Sequence, residues 1–195
     1  MKLLNNSQIK IIEEILRNPG INLRGIIEKT KLSPNYVSEY VNLLVKKKIL
    51  KEEVLKKKRV YLRRFFLDFK NVLTKNIFLL VKEERKEDFF EKYPKLRPIF
   101  EQLVEEVKGI DFVLIYGSYA RLAAGRDSDL DILIVGKIKN KEKIREILVT
   151  LDIEVSIKIE NYSDFKKRIN NDLHQQILKD NISIYDSGKF VESIA

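Results

Sequence analysis

The chain has 195 residues, of which 44% are hydrophobic and 34% are charged. This length allows one large domain or two small ones, with enough apolar material for a core. No charge-free run of about 18 apolar residues occurs, which argues against a transmembrane helix. Cysteine is absent, so disulfides and thiolate metal sites are excluded. The apolar run near the start is too short for a signal peptide, so we expect a cytoplasmic protein with no membrane partner.

The net charge of +9 is concentrated in the first third of the chain. Residues 1–66 hold 16 Lys and Arg against 6 Asp and Glu. Residues 67–109 hold 9 of each, and residues 110–195 hold 13 basic and 14 acidic residues. This imbalance predicts that residues 1–66 meet a polyanion and that the rest of the chain does something else.

Three short helices are predicted at the start of the chain. Ser7 and Asn22 are candidate N-caps for the first two, and Asn18-Pro19-Gly20 stops the first. The third runs from Ser33-Pro34, a cap followed by the favoured first helical residue, to about Lys47. Three short helices with a tight turn before the third resemble a helix-turn-helix.

Two short strands, at residues 49–54 and 60–62, follow these helices, and the basic segment between them resembles the wing of a winged-helix domain. The third helix offers polar side chains to base edges, and the wing offers cations to phosphates. The predicted DNA-binding residues are Asn35, Ser38, Asn42, Lys56, Lys57, Lys58 and Arg59. The alternative is that this domain docks a protein or pairs two copies of the chain as a homodimer.

Residues 67–109 have apolar residues at helical spacing, interrupted by a polar stretch and by Pro94 and Pro98. We interpret this segment as a helical connector.

The segment that carries the chemistry begins at residue 110. A β-branched strand at 110–116 ends in Gly117-Ser118, a helix start and a turn follow, and a second strand spans 129–135. Residues i and i+2 of a strand point to the same side, so Asp129 and Asp131 project together and repel each other. A hard divalent cation such as magnesium relieves that repulsion. Gly117 and Ser118 provide a close backbone approach and a helix N-terminus for phosphate.

These residues, Gly117-Ser118-Tyr119-Ala120-Arg121 followed by Ser128-Asp129-Leu130-Asp131, resemble the signature of the DNA polymerase β-like nucleotidyltransferase superfamily, in particular its minimal nucleotidyltransferases. The resemblance implies that Gly117 and Ser118 bind the triphosphate of a nucleotide such as ATP, and that Asp129 and Asp131 bind two magnesium ions. Arg121 and Ser128, from the same signature, join the predicted nucleotide-binding set. One departure is Leu122, where the family commonly has glycine.

The family also needs a third carboxylate on a later strand. The strand predicted at 151–159 offers Asp152 and Glu154 on one face. The resemblance favours Glu154, with Asp152 second, as third metal ligand and as the catalytic base. The alternative is that both are solvent-exposed charges of an edge strand.

The remaining elements fit a small α/β unit. Helices are predicted at 140–149, 164–170 and 172–179, and a last strand at 181–185; His174 is expected to be a surface or partly packed residue. The expected fold class is α+β with two domains. A winged helix-turn-helix (1–66) and a helical connector (67–109) precede a small mixed-sheet nucleotidyltransferase domain with helices packed on the sheet (110–195).

The predicted function is magnesium-dependent transfer of a nucleoside monophosphate from a nucleoside triphosphate to a hydroxyl, beside a DNA-binding domain. The acceptor could be a protein, a small molecule or a nucleic-acid end. The resemblance implies an antitoxin that modifies a partner protein as one candidate. The absence of a further substrate domain argues against a template polymerase. Two alternatives are a DNA-binding regulator whose nucleotidyltransferase fold only senses nucleotide, and a scaffold with an inactive site.

Overall fold

The computed structural model describes residues 4–57 and 60–194, with the side chains of residues 4–56 and 61–194. The chain divides into two compact units, the first ending at Val81 and the second spanning Lys82–Ile194. The boundary lies within helix α4 (Val72–Lys92), because Val81 packs in the first core and Phe89 in the second. The segment predicted as a connector is therefore shared between the two units.

The first unit opens with the three predicted helices, α1 (Asn6–Arg17), α2 (Leu23–Thr30) and α3 (Pro34–Lys46). Asn22 and Ser33 cap α2 and α3 as predicted. Ser7 was wrongly predicted as the N-cap of α1, since the N-cap is Asn5. Asn5 and Gln8 form a reciprocal capping box, in which each side chain accepts from the other's backbone N–H.

A β-hairpin follows the helices, formed by β1 (Leu50–Lys57) and β2 (Val60–Leu67) in antiparallel register. Both strands are longer than predicted. Phe65 of β2 also bridges Ile21, through a 3.0 Å bond from the Phe65 N–H to the Ile21 carbonyl. This bridge ties the hairpin to the turn between α1 and α2. The core behind it is formed by Ile12, Ile15, Ile26, Val37, Val41, Leu44 and Phe65.

The second unit is built on a four-stranded mixed sheet in the order β5-β4-β3-β6. β4 pairs with β3 antiparallel and with β5 parallel, and β6 pairs antiparallel with β3. Its remaining elements, in chain order, are α5 (Leu96–Glu106), β3 (Ile110–Tyr116), α6 (Gly117–Ala120), β4 (Leu130–Gly136), α7 (Lys141–Leu148), β5 (Val155–Glu160), α8 (Tyr162–Arg168), α9 (Asp172–Lys179), β6 (Ile182–Tyr185) and α10 (Ser187–Ile194).

Apolar residues alternate between the two faces of this sheet and build a core on each. One core packs Ile132 and Ile134 against the end of α4, α5 and α7. The other packs Leu133 and Val135 against α8, α9 and α10. The α+β class, the winged helix-turn-helix and the mixed sheet covered by helices are confirmed.

Three element boundaries near Gly117–Asp131 differ from the prediction. The helix expected to start after Ser118 is the single turn of α6, and the left-handed backbone of Leu122 (φ 56°) prevents it from continuing. β4 begins at Leu130, so Asp129 lies just before the strand. β5 begins at Val155, because the Leu151 N–H bonds the Leu148 carbonyl and closes a turn after α7.

Candidate active site

The end of β3 and the start of β4 meet at one edge of the sheet, because the two strands are antiparallel. Tyr116 is the register partner of Asp131, and Gly117 follows it with φ +72°. A Cβ placed on Gly117 would lie 2.2 Å from Oδ2 of Asp131, well inside any normal contact. Gly117 therefore serves two needs at once: it adopts a left-handed backbone and leaves room for the Asp131 carboxylate.

The Asp131 carboxylate is in an unfavourable environment for a charge. Burial is the larger cause that raises the pKa of Asp131, and the neighbouring charge of Asp129 raises it further. The charge of Arg121 acts in the opposite direction and is too small to cancel these two effects. A cation bound beside Asp131 would therefore stabilise its ionised form.

A cleft of about 300 Å³ opens in front of Asp131. Of the predicted site residues, Gly117, Arg121 and Asp131 line it. The cleft also has a wall that sequence reasoning missed, formed by Tyr116 at the end of β3 and by residues of α9 and its C-cap: Leu173, Gln176, Lys179 and Asp180. The i, i+3 spacing of Leu173 and Gln176 was visible in the sequence, but nothing local indicated that α9 faces this edge of the sheet.

Other predicted residues lie around the cleft without lining it. The Ser118 carbonyl accepts the Ala123 N–H at 3.0 Å, which closes the loop after α6. The Ser128 hydroxyl accepts the Gly125 N–H at 2.9 Å and holds the turn before β4. Asp129 is exposed at the mouth of this turn. In this structure, then, Ser118 and Ser128 shape the loop that carries Asp129.

The third predicted carboxylate, Glu154, lies immediately before β5. The Glu154 carbonyl accepts the Leu130 N–H at 2.8 Å, and Leu130 pairs with Val155, so Glu154 lies alongside Asp129. Its side chain is exposed. Within residues 4–57 and 60–194, no three or more His, Asp or Glu side chains come together as a metal-binding group. The second candidate, Asp152, lines a separate cavity with Tyr93 and Tyr119.

A buried hydrogen-bonded pair, His174 and Glu160, lies behind the α9 wall. The Nε2 atom of His174 is 2.9 Å from Oε2 of Glu160, and their side chains are only 1% and 2% exposed. Lys158 and Arg168 also approach this carboxylate, at 3.0 and 3.2 Å. Burial alone would raise the pKa of Glu160, but hydrogen bonds from His174 and Lys158 outweigh it and hold the pKa below its usual range. The expectation that His174 is a surface or partly packed residue was wrong, because its side chain is fully buried and faces Glu160 at the end of β5.

The predicted DNA-binding residues belong to the first unit. On α3, Asn35 and Asn42 are exposed and Ser38 is half-buried. The Oδ1 atom of Asn42 accepts a hydrogen bond from Arg63 at 2.9 Å, so one edge of its amide is already engaged.

In the wing, the Lys56 side chain is exposed, with its Nζ 5.7 Å from the Tyr61 ring centre. The Lys57 side chain and residues Lys58 and Arg59 lie outside the described part. No described helix is long and apolar enough to cross a membrane.

Both parts of the chain match known protein families. Residues 95–189 match the family described as "Polymerase beta, Nucleotidyltransferase", and residues 4–51 match that described as "Winged helix-turn-helix DNA-binding". A candidate protein adenylyltransferase of Methanocaldococcus jannaschii is 30% identical over 76 residues, which are 37% of this chain and 76% of that protein.

A candidate nucleotidyltransferase from Sulfolobus solfataricus, with a crystal structure at 1.40 Å, is similar at 20% identity with a TM-score of 0.33. The match covers 55% of this chain and 89% of that one. The motif at Gly117–Asp131, the mixed sheet that carries it and the relative from Methanocaldococcus jannaschii agree with one another. The chain belongs to the polymerase beta nucleotidyltransferase family and carries an N-terminal winged helix-turn-helix domain.

Proposed function

We propose that the cleft in front of Asp131 is the active site of a magnesium-dependent nucleotidyltransferase that moves a nucleoside monophosphate from a nucleoside triphosphate to a hydroxyl. The observation that carries this proposal is the niche at Gly117, which holds the Asp131 carboxylate beside Asp129 despite burial and like-charge repulsion. A protein retains such a destabilising pair where a bound cation completes it.

The donor set fits magnesium. Asp129 and Asp131, two residues apart in the chain, offer hard oxygen ligands, and Glu154, whose backbone lies beside that of Asp129, is the candidate third ligand. Asp129, Asp131 and Glu154 would hold magnesium, which would neutralise charge on the triphosphate and make the attacking hydroxyl more acidic.

The protein's own residues then have distinct tasks. The backbone at Gly117 lets a phosphate approach closely, and the Arg121 guanidinium at the cleft provides a phosphate partner. An acceptor hydroxyl oxygen attacks the α-phosphorus, the bond from that phosphorus to the bridging oxygen breaks, and pyrophosphate leaves. Glu154, exposed and next to Asp129, takes the hydroxyl proton.

The name of the relative from Methanocaldococcus jannaschii supports two details of this proposal, ATP as donor and a protein as acceptor. A partner protein's hydroxyl is therefore the acceptor to test first. The exposed position of Asp129 and Glu154 suits an acceptor of that size, because both carboxylates lie at the surface and not in an enclosed cavity.

The winged helix-turn-helix gives the second candidate function, regulation through DNA binding. Its support is the excess of basic residues in residues 1–66 and the exposure of Asn35, Asn42 and Lys56. In this reading the nucleotidyltransferase unit senses nucleotide without transferring it.

One assay separates transfer from sensing. Without a protein acceptor, water attacks the α-phosphorus slowly, so purified protein with MgATP should release pyrophosphate and AMP. The Asp129→Asn, Asp131→Asn double variant should release neither above background. The matched control is Asp127→Asn, which removes an exposed carboxylate from the same turn and should keep the wild-type rate. Release of inorganic phosphate in place of pyrophosphate, or equal rates in the double variant, would contradict the proposal. MgATP binding without turnover, alone or with a partner protein, would favour the sensor.

A further inference from the structure

Helix α9 has two functionally different sides. His174 and Ile177 point inward and are buried, whereas Leu173 and Gln176, one residue before each, line the cleft. Leu173 is 39% exposed, which is high for a leucine in a helix that has a buried side available. Two such positions, i and i+3, form a short stripe along the cleft.

This stripe places an apolar side chain, Leu173, beside a polar one, Gln176. Tyr116, half-buried at the end of β3, lines the same cleft as Leu173, so an aromatic and an aliphatic side chain face one space. Within the described residues no hydrogen bond engages the Gln176 carboxamide, so both its N–H donors and its carbonyl acceptor remain for a ligand.

We propose that α9 is the base-reading wall of the cleft, with Gln176 selecting adenine and with Leu173 and Tyr116 contacting the plane of the base. A carboxamide offers a donor and an acceptor side by side, which matches the amino group and ring nitrogen of adenine. Guanine presents two neighbouring acceptors on the corresponding edge and leaves the carboxamide carbonyl opposed to an acceptor. This inference rests on the proposed function, because it needs a nucleotide in the cleft.

The anchoring of α9 supports a positioning role for this wall. His174 lies next to Leu173, and its buried bond to Glu160 ties α9 to the end of β5. Charged groups are costly to bury unless they are paired and hydrogen-bonded, as Glu160 is here. A wall held by such a pair keeps Leu173 and Gln176 at a fixed place relative to Tyr116, as base discrimination requires.

The test is calorimetric titration of ATP, GTP and inorganic tripolyphosphate, each with magnesium, into wild type and Gln176→Leu. Wild type should bind ATP about tenfold or more tightly than GTP. Gln176→Leu should bring the two dissociation constants together and leave tripolyphosphate binding unchanged. Leu173→Ala should weaken ATP and GTP equally, again without an effect on tripolyphosphate. The matched control is Gln102→Leu on α5, outside the cleft, which should behave as wild type.

The outcomes separate this inference from the proposed function. Binding of ATP with the same preference in wild type and Gln176→Leu, or no preference in wild type, overturns the base-reading role and leaves the active site intact. If wild type binds neither ATP nor tripolyphosphate, the proposed function and the inference are overturned together. A loss of tripolyphosphate binding in Gln176→Leu also overturns the inference, because the side chain would then act on the phosphates or on the fold.

Discussion

Replacing Gly117 with alanine places a methyl group where the Asp131 carboxylate now lies. The added Cβ would be 2.2 Å from Asp131 Oδ2, and ordinary contacts of a Cβ start above 3.0 Å, so the carboxylate must retreat by about 1 Å. The backbone at φ +72° adds a second cost, about 1–2 kcal/mol for an L-residue in the left-handed region.

These two costs have different readouts. The carboxylate is the far end of a side chain and can rotate away, so the fold should survive with a loss of stability set mainly by the backbone cost. The displaced carboxylate should lower the rate of pyrophosphate release by about 100-fold, the usual consequence of a 1 Å misplacement at a reacting centre.

Gly125→Ala is the matched control. A Cβ there meets only the Ser128 hydroxyl, at 3.9 Å, and the backbone is not left-handed. Alanine at such a position stabilises a protein by about 0.4–1 kcal/mol through the unfolded chain. The two variants should therefore differ by about 1–3 kcal/mol in the free energy of unfolding, measured by denaturant titration. Equal stabilities and equal rates for the two variants would refute the assignment of Gly117 as the niche for Asp131.

Three further predictions concern charge. In metal-free protein, Asp131→Asn should raise the melting temperature at neutral pH. The pKa of Asp131 is raised, so its ionised form destabilises the folded protein, and the gain in melting temperature should disappear as the pH falls and the wild-type carboxyl is protonated. A melting temperature of Asp131→Asn below that of wild type at pH 7 would contradict this. Glu160→Gln should destabilise the protein by about 1–3 kcal/mol at pH 7. Because the pKa of Glu160 is depressed, the stability that its carboxylate contributes is present above the unfolded pKa and is lost as the pH falls below about 4. Wild type and Glu160→Gln should therefore have the same free energy of unfolding in acid. A difference that stays constant with pH would contradict this. Replacing the wing residues Lys56, Lys57 and Lys58 by glutamine should reduce the slope of log K against log salt for DNA binding by about 3. An unchanged slope would show that the wing does not contact the DNA.

The local signals in the sequence were strong where structure depends on neighbours along the chain. The caps at Asn22 and Ser33, the hydrophobic spacing of α3 and the two strands around Gly117 were all readable, because each follows from a few adjacent residues. The relation of Gly117 to Asp131 was only half visible. The sequence indicated a close approach of phosphate at this glycine, and the structure adds the carboxylate of a neighbouring strand.

Features that depend on tertiary packing were missed. α9 was predicted with its observed bounds, but its place at the cleft, and the burial of His174 against Glu160, depend on how α9 folds back onto β5. The continuous helix α4 was also missed, because the polar residues 82–88 in its middle interrupt the apolar spacing. Its two ends pack in different cores. Leu122 has a left-handed backbone, the conformation that glycine adopts at least cost, which accounts for glycine as the residue expected at this position of the signature.

The proposed mechanism requires that Asp129 and Asp131 hold magnesium for a nucleoside triphosphate. The most direct test is calorimetric titration of ATP into wild type and into the Asp129→Asn, Asp131→Asn double variant, each with magnesium and with a chelator. Binding of ATP to wild type should require magnesium and should be lost in the double variant. Binding that persists in the chelator, or equally in the variant, would contradict it.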